Sequence, residues 1–265
     1  MEAILSSGQA DTDVLPPGIT YGLDKSWSFI TSRREATTYT LGSSYSPHGV
    51  RVIQYNFGSA HEWLVPDSVL FSAEFQNLDA THAAWPACPD ANVLFEKVEI
   101  RLGGTLIETI SENACVNEIF TRLTMSPEKK VNLAQLGFGT QIPSAEPDWF
   151  AAQNHEAKTI PASGSKRIHW RCNLSGLLSN HRWIPLWALG GSVGLQVSFF
   201  LAPVNDSLIK SHGGVTYSQS YLLKDCRALS SVVTLDSDLQ ESFNAALLGG
   251  TALRYQTKTI EPVWS

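Results

Sequence analysis

The stretch from Phe95 to Ile110 constrains this chain more than any other. Val98, Ile100 and Leu102 alternate with Lys97, Glu99 and Arg101, the period of a strand with one dry face and one wet face. Gly103-Gly104 then supplies two residues tolerant of positive φ, as a two-residue primed turn requires, and Thr105 to Ile110 runs back as the partner strand. An isolated hairpin is marginal in water. The chain before and after it must therefore provide the sheets that cover its apolar face.

The same alternation recurs on both sides. Val50 to Phe57 puts Ile53, Tyr55 and Phe57 on one face, and Asp67 to Phe75 does so with Val69, Phe71, Ala73 and Phe75. Lys166 to Cys172 alternates through Ile168, Trp170 and Cys172. Ser192 to Leu201 alternates through Val193, Leu195, Val197, Phe199 and Leu201 before Pro203 stops it. Trp27 to Leu41 holds two short β-prone pieces around a charged step at Arg33-Arg34-Glu35, and Tyr221 to Leu235 supplies one long or broken strand.

Helical spacing is confined to two places. Cys115, Val116, Ile119, Phe120 and Leu123 predict one amphipathic helix over about 112 to 125, with Ser111 as its N-cap. Leu239, Phe243, Ala246 and Leu247 line one face of a second helix, capped by Asp236 or Ser237 and stopped at Gly249-Gly250. Thr251 to Ile260 returns to a strand pattern. A lone helix and strand cannot form a core, so this tail must dock on its own domain or on another chain.

The expected fold class is all-β: an eight-stranded antiparallel jelly-roll sandwich with one inserted helix and a C-terminal helix-strand tail. An immunoglobulin sandwich fits less well, because its Cys-Trp-Cys arrangement is missing. The expected division is an extended N-terminal arm over 1–25, a jelly-roll domain over 26–235 and the tail over 236–265. Two loops stand out. One is Asn77 to Asn92, broken by Trp85-Pro86 and Cys88-Pro89, and the other is the long Glu128 to Ser165 with Phe138, Trp149 and Phe150. A loop of that length either binds something or caps one end of the core.

Composition excludes several functions. The net charge is −6, and the first 25 residues hold Glu2, Asp11, Asp13 and Asp24 against Lys25, so bulk binding of nucleic-acid phosphate is not expected. Lys166-Arg167 with Arg171 forms a local basic patch, which reads most simply as a solvated strip. Cys88, Cys115, Cys172 and Cys226 show no paired spacing and read as free thiols in a reducing compartment. No apolar run reaches membrane-spanning length, and Met1 to Leu5 is too short and acidic to open a secretory signal.

No catalytic constellation emerges. Gly190-Gly191-Ser192-Val193-Gly194 matches a nucleophile elbow, but that motif needs a strand before the serine and a helix after it. Here Ser192 opens a strand. The seven histidines contain no H-x-H pair and imply no metal site, and no phosphate-binding glycine loop is present. Neither an active site nor a cofactor is expected. Trp85, Trp149 and Trp183 beside loops leave a carbohydrate-binding module or lectin as the alternative, against closure of the core ends.

Several passages carry a family resemblance. They are Trp63-Leu64-Val65-Pro66-Asp67-Ser68 leading into a strand, the Leu94 to Ile110 hairpin followed by Asn113 and a helix, and Trp183-Ile184-Pro185-Leu186 before an apolar strand. Tyr221 to Cys226 followed by Val233-Thr234-Leu235-Asp236 and a helix is another. Together they resemble the double jelly-roll major capsid proteins of eukaryotic double-stranded DNA viruses and of polinton- or adinto-like elements. The resemblance implies a structural shell protein of the virion, made and assembled inside the host cell and not secreted. Its implied partners are other capsid subunits, either as a homotrimer or with a chain carrying a second jelly roll, with no specific nucleic acid. Family members continue into a complete second roll. The resemblance thus leaves open a split capsid protein, a fragment, or a minor or penton component. The expected assembly interface is Trp149, Phe150, Leu239, Phe243, Leu247, Leu253, Tyr255, Ile260 and Trp264.

Overall fold

The computed structural model describes residues 30–124, 136–139, 159–190 and 194–250. Its strands are β1 (Ile30–Tyr39), β2 (Ser44–Tyr45), β3 (Val52–Phe57), β4 (Glu62–Asn77), β5 (Phe95–Leu102), β6 (Thr105–Ile110) and β7 (Ser165–Trp170). They continue with β8 (Ile184–Pro185), β9 (Leu195–Leu201), β10 (Ser211–His212), β11 (Val215–Thr216) and β12 (Tyr221–Leu235). The two longer helices are α1 (Asn113–Thr124) and α2 (Ser237–Leu248). The described residues fall into two compact units, Arg34–Val232 and a smaller one joining residues 30–33 to 233–250.

Two sheets take up most of the described strands. One has the order β1-β12-β4-β7, with β2 against β12 and β8 against β4, and the other runs β3-β9-β5-β6. Among the described residues, eight of these strands form the main paths: β1, β3, β4, β5, β6, β7, β9 and β12. Counted along the chain, the first pairs with the eighth, the second with the seventh, the third with the sixth and the fourth with the fifth. This nesting is a ribbon rolled onto itself, the jelly-roll topology. It bears out the expected fold class.

Local sequence explains the elements. In the hairpin, Gly103 and Gly104 take φ of 54° and 86°, the left-handed values of the primed turn. Val98 and Ile100 on β5 are fully buried, as are Ile53 and Tyr55 on β3 and Phe71, Ala73 and Phe75 on β4. On β9, Leu195, Val197, Phe199 and Leu201 all face inward. This strand starts at Leu195; Ser192 and Val193 lie outside the described residues. Gly194 precedes it at φ 50°, so close to the Phe57 carbonyl that a Cβ would strike it.

Two expectations about extent change. The charged step at Arg33-Arg34-Glu35 does not divide the first region: β1 runs straight through it, because its side chains there point to solvent. The Asn77 to Asn92 loop is not loose. Ala84 and Ile160 exchange backbone hydrogen bonds of 2.8 Å in both directions. Trp85, next along the chain, is fully buried, and the Phe138 ring from the long loop meets Phe75 edge-on at 5.2 Å. The described parts of both loops close the end of the core.

The sheets meet on aromatic rings. Phe199 of β9 lies 4.7 Å from Phe71 of β4 and 5.7 Å from Trp170 of β7, both edge-on. Within its own sheet it contacts Phe95 at 4.9 Å and Tyr55 at 6.1 Å. Phe199→Ala is therefore expected to cost about 3–5 kcal/mol, measured by urea unfolding of the purified chain. Phe200→Ala, on the outward face beneath Lys97, is expected to cost about 1 kcal/mol or less. Equal losses at the two positions would contradict this placement of the core.

Candidate assembly surface

Asp90 organises one end of the four-stranded sheet. It sits just before a 3-10 turn at Ala91–Leu94 and accepts a 3.0 Å hydrogen bond from the Asn92 amide as its N-cap. The Asn92 side-chain amide donates to both carboxylate oxygens, at 3.1 and 3.2 Å, and Asn117 of α1 donates to Oδ2 at 2.5 Å. Burial raises the carboxyl above its usual range against the lowering effect of these donors.

That carboxylate sets the orientation of α1. An amphipathic helix ordinarily turns its apolar stripe to the core; α1 does the reverse. Its buried residues include Asn113, Asn117 and Thr121, together with Val116, whereas Cys115, Ile119, Phe120 and Leu123 are exposed, Leu123 at 80%. A buried carboxylate requires hydrogen-bond donors, and the amide side of the helix supplies one. The start of α1 also differs from expectation. The residue before Asn113 is Glu112, at φ 50°, and its carbonyl accepts from the Val116 amide at 3.0 Å. Ser111 is one residue too early to cap the helix.

The strand leading into α1 is equally turned out. Opposite β5, Ile100 pairs with Glu108 and Arg101 with Leu106, so Ile107 is an inserted bulge residue. The bulge inverts the alternation. Glu108 points inward, accepting 2.6 Å and 2.8 Å hydrogen bonds from Ser175 Oγ and the Gly176 amide. Leu106 and Ile107 are each left 47% exposed. Because β6 is also an outer strand of its sheet, apolar side chains and a sheet edge occur together.

Of the interface residues read from the sequence, Leu239, Phe243 and Leu247 lie on one face of α2, each half-buried. No residue of α2 is fully buried. Asp236 caps this helix as expected, accepting from the Asp238 amide at 3.3 Å, although its geometry ends at Gly249 without a left-handed residue until Gly250. Trp149, Phe150, Leu253, Tyr255, Ile260 and Trp264 lie outside the described residues. Sequence reasoning misses the α1 and β6 positions because apolar spacing marks a shared face without saying whether that face is buried. The available signal was the Asn113, Asn117, Thr121 polar row at four-residue spacing.

The other candidates resolve into structure. In the basic patch, Lys166 Nζ donates to the Phe138 carbonyl at 2.9 Å, Arg167 pairs with Asp225, and Arg171 donates to the Asp67 carbonyl at 2.7 Å. Each cation is thus engaged within the fold. The Trp85 ring is core rather than platform, and Trp183 is half-buried. Burial pushes the Cys172 and Cys226 thiols upward, the latter to about 12, which keeps them protonated and unreactive. Among the described residues no cluster of His, Cys, Asp and Glu suits a metal ion, and no helix is long and apolar enough to cross a membrane.

No protein-family model matches the sequence, and no curated protein matches it. Solved structures do. PBCV-1 VP54, as fitted into a cryo-EM reconstruction of the virophage Sputnik, aligns with TM-score 0.54 and 11% identity over 80% of this chain and 44% of that chain. The quasi-atomic model of the PBCV-1 virus capsid aligns with TM-score 0.54 and 12% identity, again over 80% and 44%. At such identities the likeness is one of fold. This chain has the jelly-roll architecture of the double jelly-roll capsid proteins, and it spans less than half the length of these two matched chains.

Asp90 gives this region a pH signature. Its folded-state value is raised, so the folded protein holds the proton to higher pH than the unfolded chain, whose Asp titrates near ~3.9. Its contribution is fullest below that value and falls as pH rises through the folded value. The difference in urea midpoint between wild type and Asp90→Asn is therefore expected to shift against wild type as pH rises from about 3 to 7. A difference that is flat across this range would contradict the buried, raised carboxyl.

Proposed function

We propose that this chain is a structural subunit of a virus capsid and that its work is assembly, not catalysis. The observation that supports this best is the nested pairing of eight strands, which aligns with the PBCV-1 capsid protein over four-fifths of the chain. A role in the virion accords with an acidic chain, whose basic residues at the one local patch are already engaged. The partners in this proposal are further copies of the chain, as a homotrimer, or a separate chain carrying another jelly roll. The latter would make up the length that the matched capsid proteins have and this chain does not span.

Within this reading the extended arm over 1–25 and the tail over 236–265 are assembly elements rather than parts of the core. The tail reaches a neighbouring subunit and completes a sheet there by main-chain pairing at an open edge. The test is size-exclusion chromatography with light scattering and negative-stain electron microscopy on the full chain and on a chain lacking residues 237–265. The full chain is expected to form oligomers, and the truncated chain to stay folded by circular dichroism but monomeric. A full chain that remains monomeric at about 100 μM, roughly a hundredfold above a micromolar affinity, would count against the proposal. Unaltered assembly of the truncated chain would count against the tail.

A further inference from the structure

We infer that the β6 edge together with the outward stripe of α1 is the surface that receives α2 and residues 251–260 of a second copy. This rests on the capsid-subunit reading and goes beyond it by naming the seat of the tail. The two pieces are matched in order and spacing. The receiver is a strand, two residues (Ser111 and Glu112), and a twelve-residue helix. The donor is a twelve-residue helix, two residues (Gly249 and Gly250), and a strand pattern over 251–260. Laid antiparallel, helix falls on helix and strand beside strand.

The side chains fit this register. On α1, Cys115, Ile119 and Leu123 stand outward at four-residue intervals, and on α2 Leu239, Phe243 and Leu247 share one face at the same intervals. Helices of twelve residues are marginal on their own, and α2 buries no residue completely. Chain length suffices: a strand matching the six residues of β6 spans roughly 20 Å at ~3.4 Å per residue, well within the residues that follow Gly250. Charge is complementary as well. With Glu108 turned inward, the receiving segment keeps Glu112 and Glu118 against Arg122 near the end of α1, whereas 251–260 carries Arg254 and Lys258 and no acid.

Among the sheet edges β6 is also the least defended. Proteins blunt open edges with charge. The β1 strand carries Arg33, Arg34 and Glu35, and β7 carries Lys166 and Arg167. The β3 strand presents Gln54 and Asn56, which bond to each other at 3.1 Å. Two of these four strands show two exposed large apolar side chains, β6 with Leu106 and Ile107 and β1 with Ile30 and Tyr39. On β6 the two are adjacent and have no charged residue between them and the turn, whereas those of β1 stand at its two ends with the charged step between them.

The test uses full-length protein and the exposed thiol already on α1. One copy keeps Cys115; the other carries Cys115→Ser and Leu248→Cys, and the two are mixed with a short bismaleimide. Cross-linked dimers containing one of each are expected, and they should be absent when the second copy carries Cys115→Ser alone. In parallel, Leu123→Glu and the double variant Arg254→Glu, Lys258→Glu are each expected to raise the concentration for half-assembly at least tenfold, with unfolding midpoints unchanged. If wild type assembles, Phe243→Glu blocks assembly, and yet Leu123→Glu assembles normally without a mixed cross-link, this seat for the tail is wrong while the tail's role stands. If wild type does not assemble at all, the capsid-subunit reading on which the inference rests fails first.

Discussion

The contact of Phe199 with Phe71 and Trp170 is the interaction on which the molecule depends. It ties β9 of one sheet to β4 and β7 of the other. Aromatic rings favour edge-on and tilted approaches and add about 0.5–1.5 kcal/mol per pair beyond the area they bury. Side chains alternate along a strand, so a one-residue slip of β9 would turn Phe199 outward and Phe200 inward. The cluster therefore fixes register as well as stability. Once β4, β7 and β9 are in register, the nested order of the remaining strands is a matter of which neighbours are left to pair.

A second constraint competes with burial of apolar surface at the end of the four-stranded sheet. Returning a large apolar side chain fully to water costs about 1.5–3 kcal/mol. Removing a partner from a buried charged group costs about 3–5 kcal/mol. At α1 the hydrogen bond is kept although three apolar side chains stay wholly or partly exposed. Asn117 stays on Asp90, and Ile119, Phe120 and Leu123 remain outside. This arrangement concentrates exposed apolar surface where a sheet edge is also open.

The fold alone does not assign a role, because jelly rolls serve enzymes, lectins and shells alike. What separates these uses is the surface. In this chain the candidate chemical features are absorbed into the structure: the basic patch is engaged, Trp85 is core, and the two buried thiols are held protonated. On β6 and α1, exposed apolar side chains follow one another along a single strand–helix segment. The likeness in fold to capsid proteins and the distribution of exposed apolar residues are independent observations.

Periodicity determined much of this protein. The alternation of Ile53-Tyr55-Phe57, of Val69 to Phe75, of Ile168 to Cys172 and of Leu195 to Leu201 is a property of neighbours in sequence, and every one of those faces is buried. The Gly-Gly turn is likewise local, since two adjacent positive φ angles leave little other choice. Tertiary structure decided which way a correctly recognised element faces. Nothing in residues 105–110 reveals that a bulge at Ile107 turns Glu108 inward, because the bulge is defined only against β5. The Asn113, Asn117, Thr121 row marks a second face of the helix, but residues 113–124 do not say that this face is the buried one, because the carboxylate that selects it belongs to Asp90, 27 residues before Asn117. Spacing records which side chains share a face; what that face meets is set by groups the chain brings back from a distance.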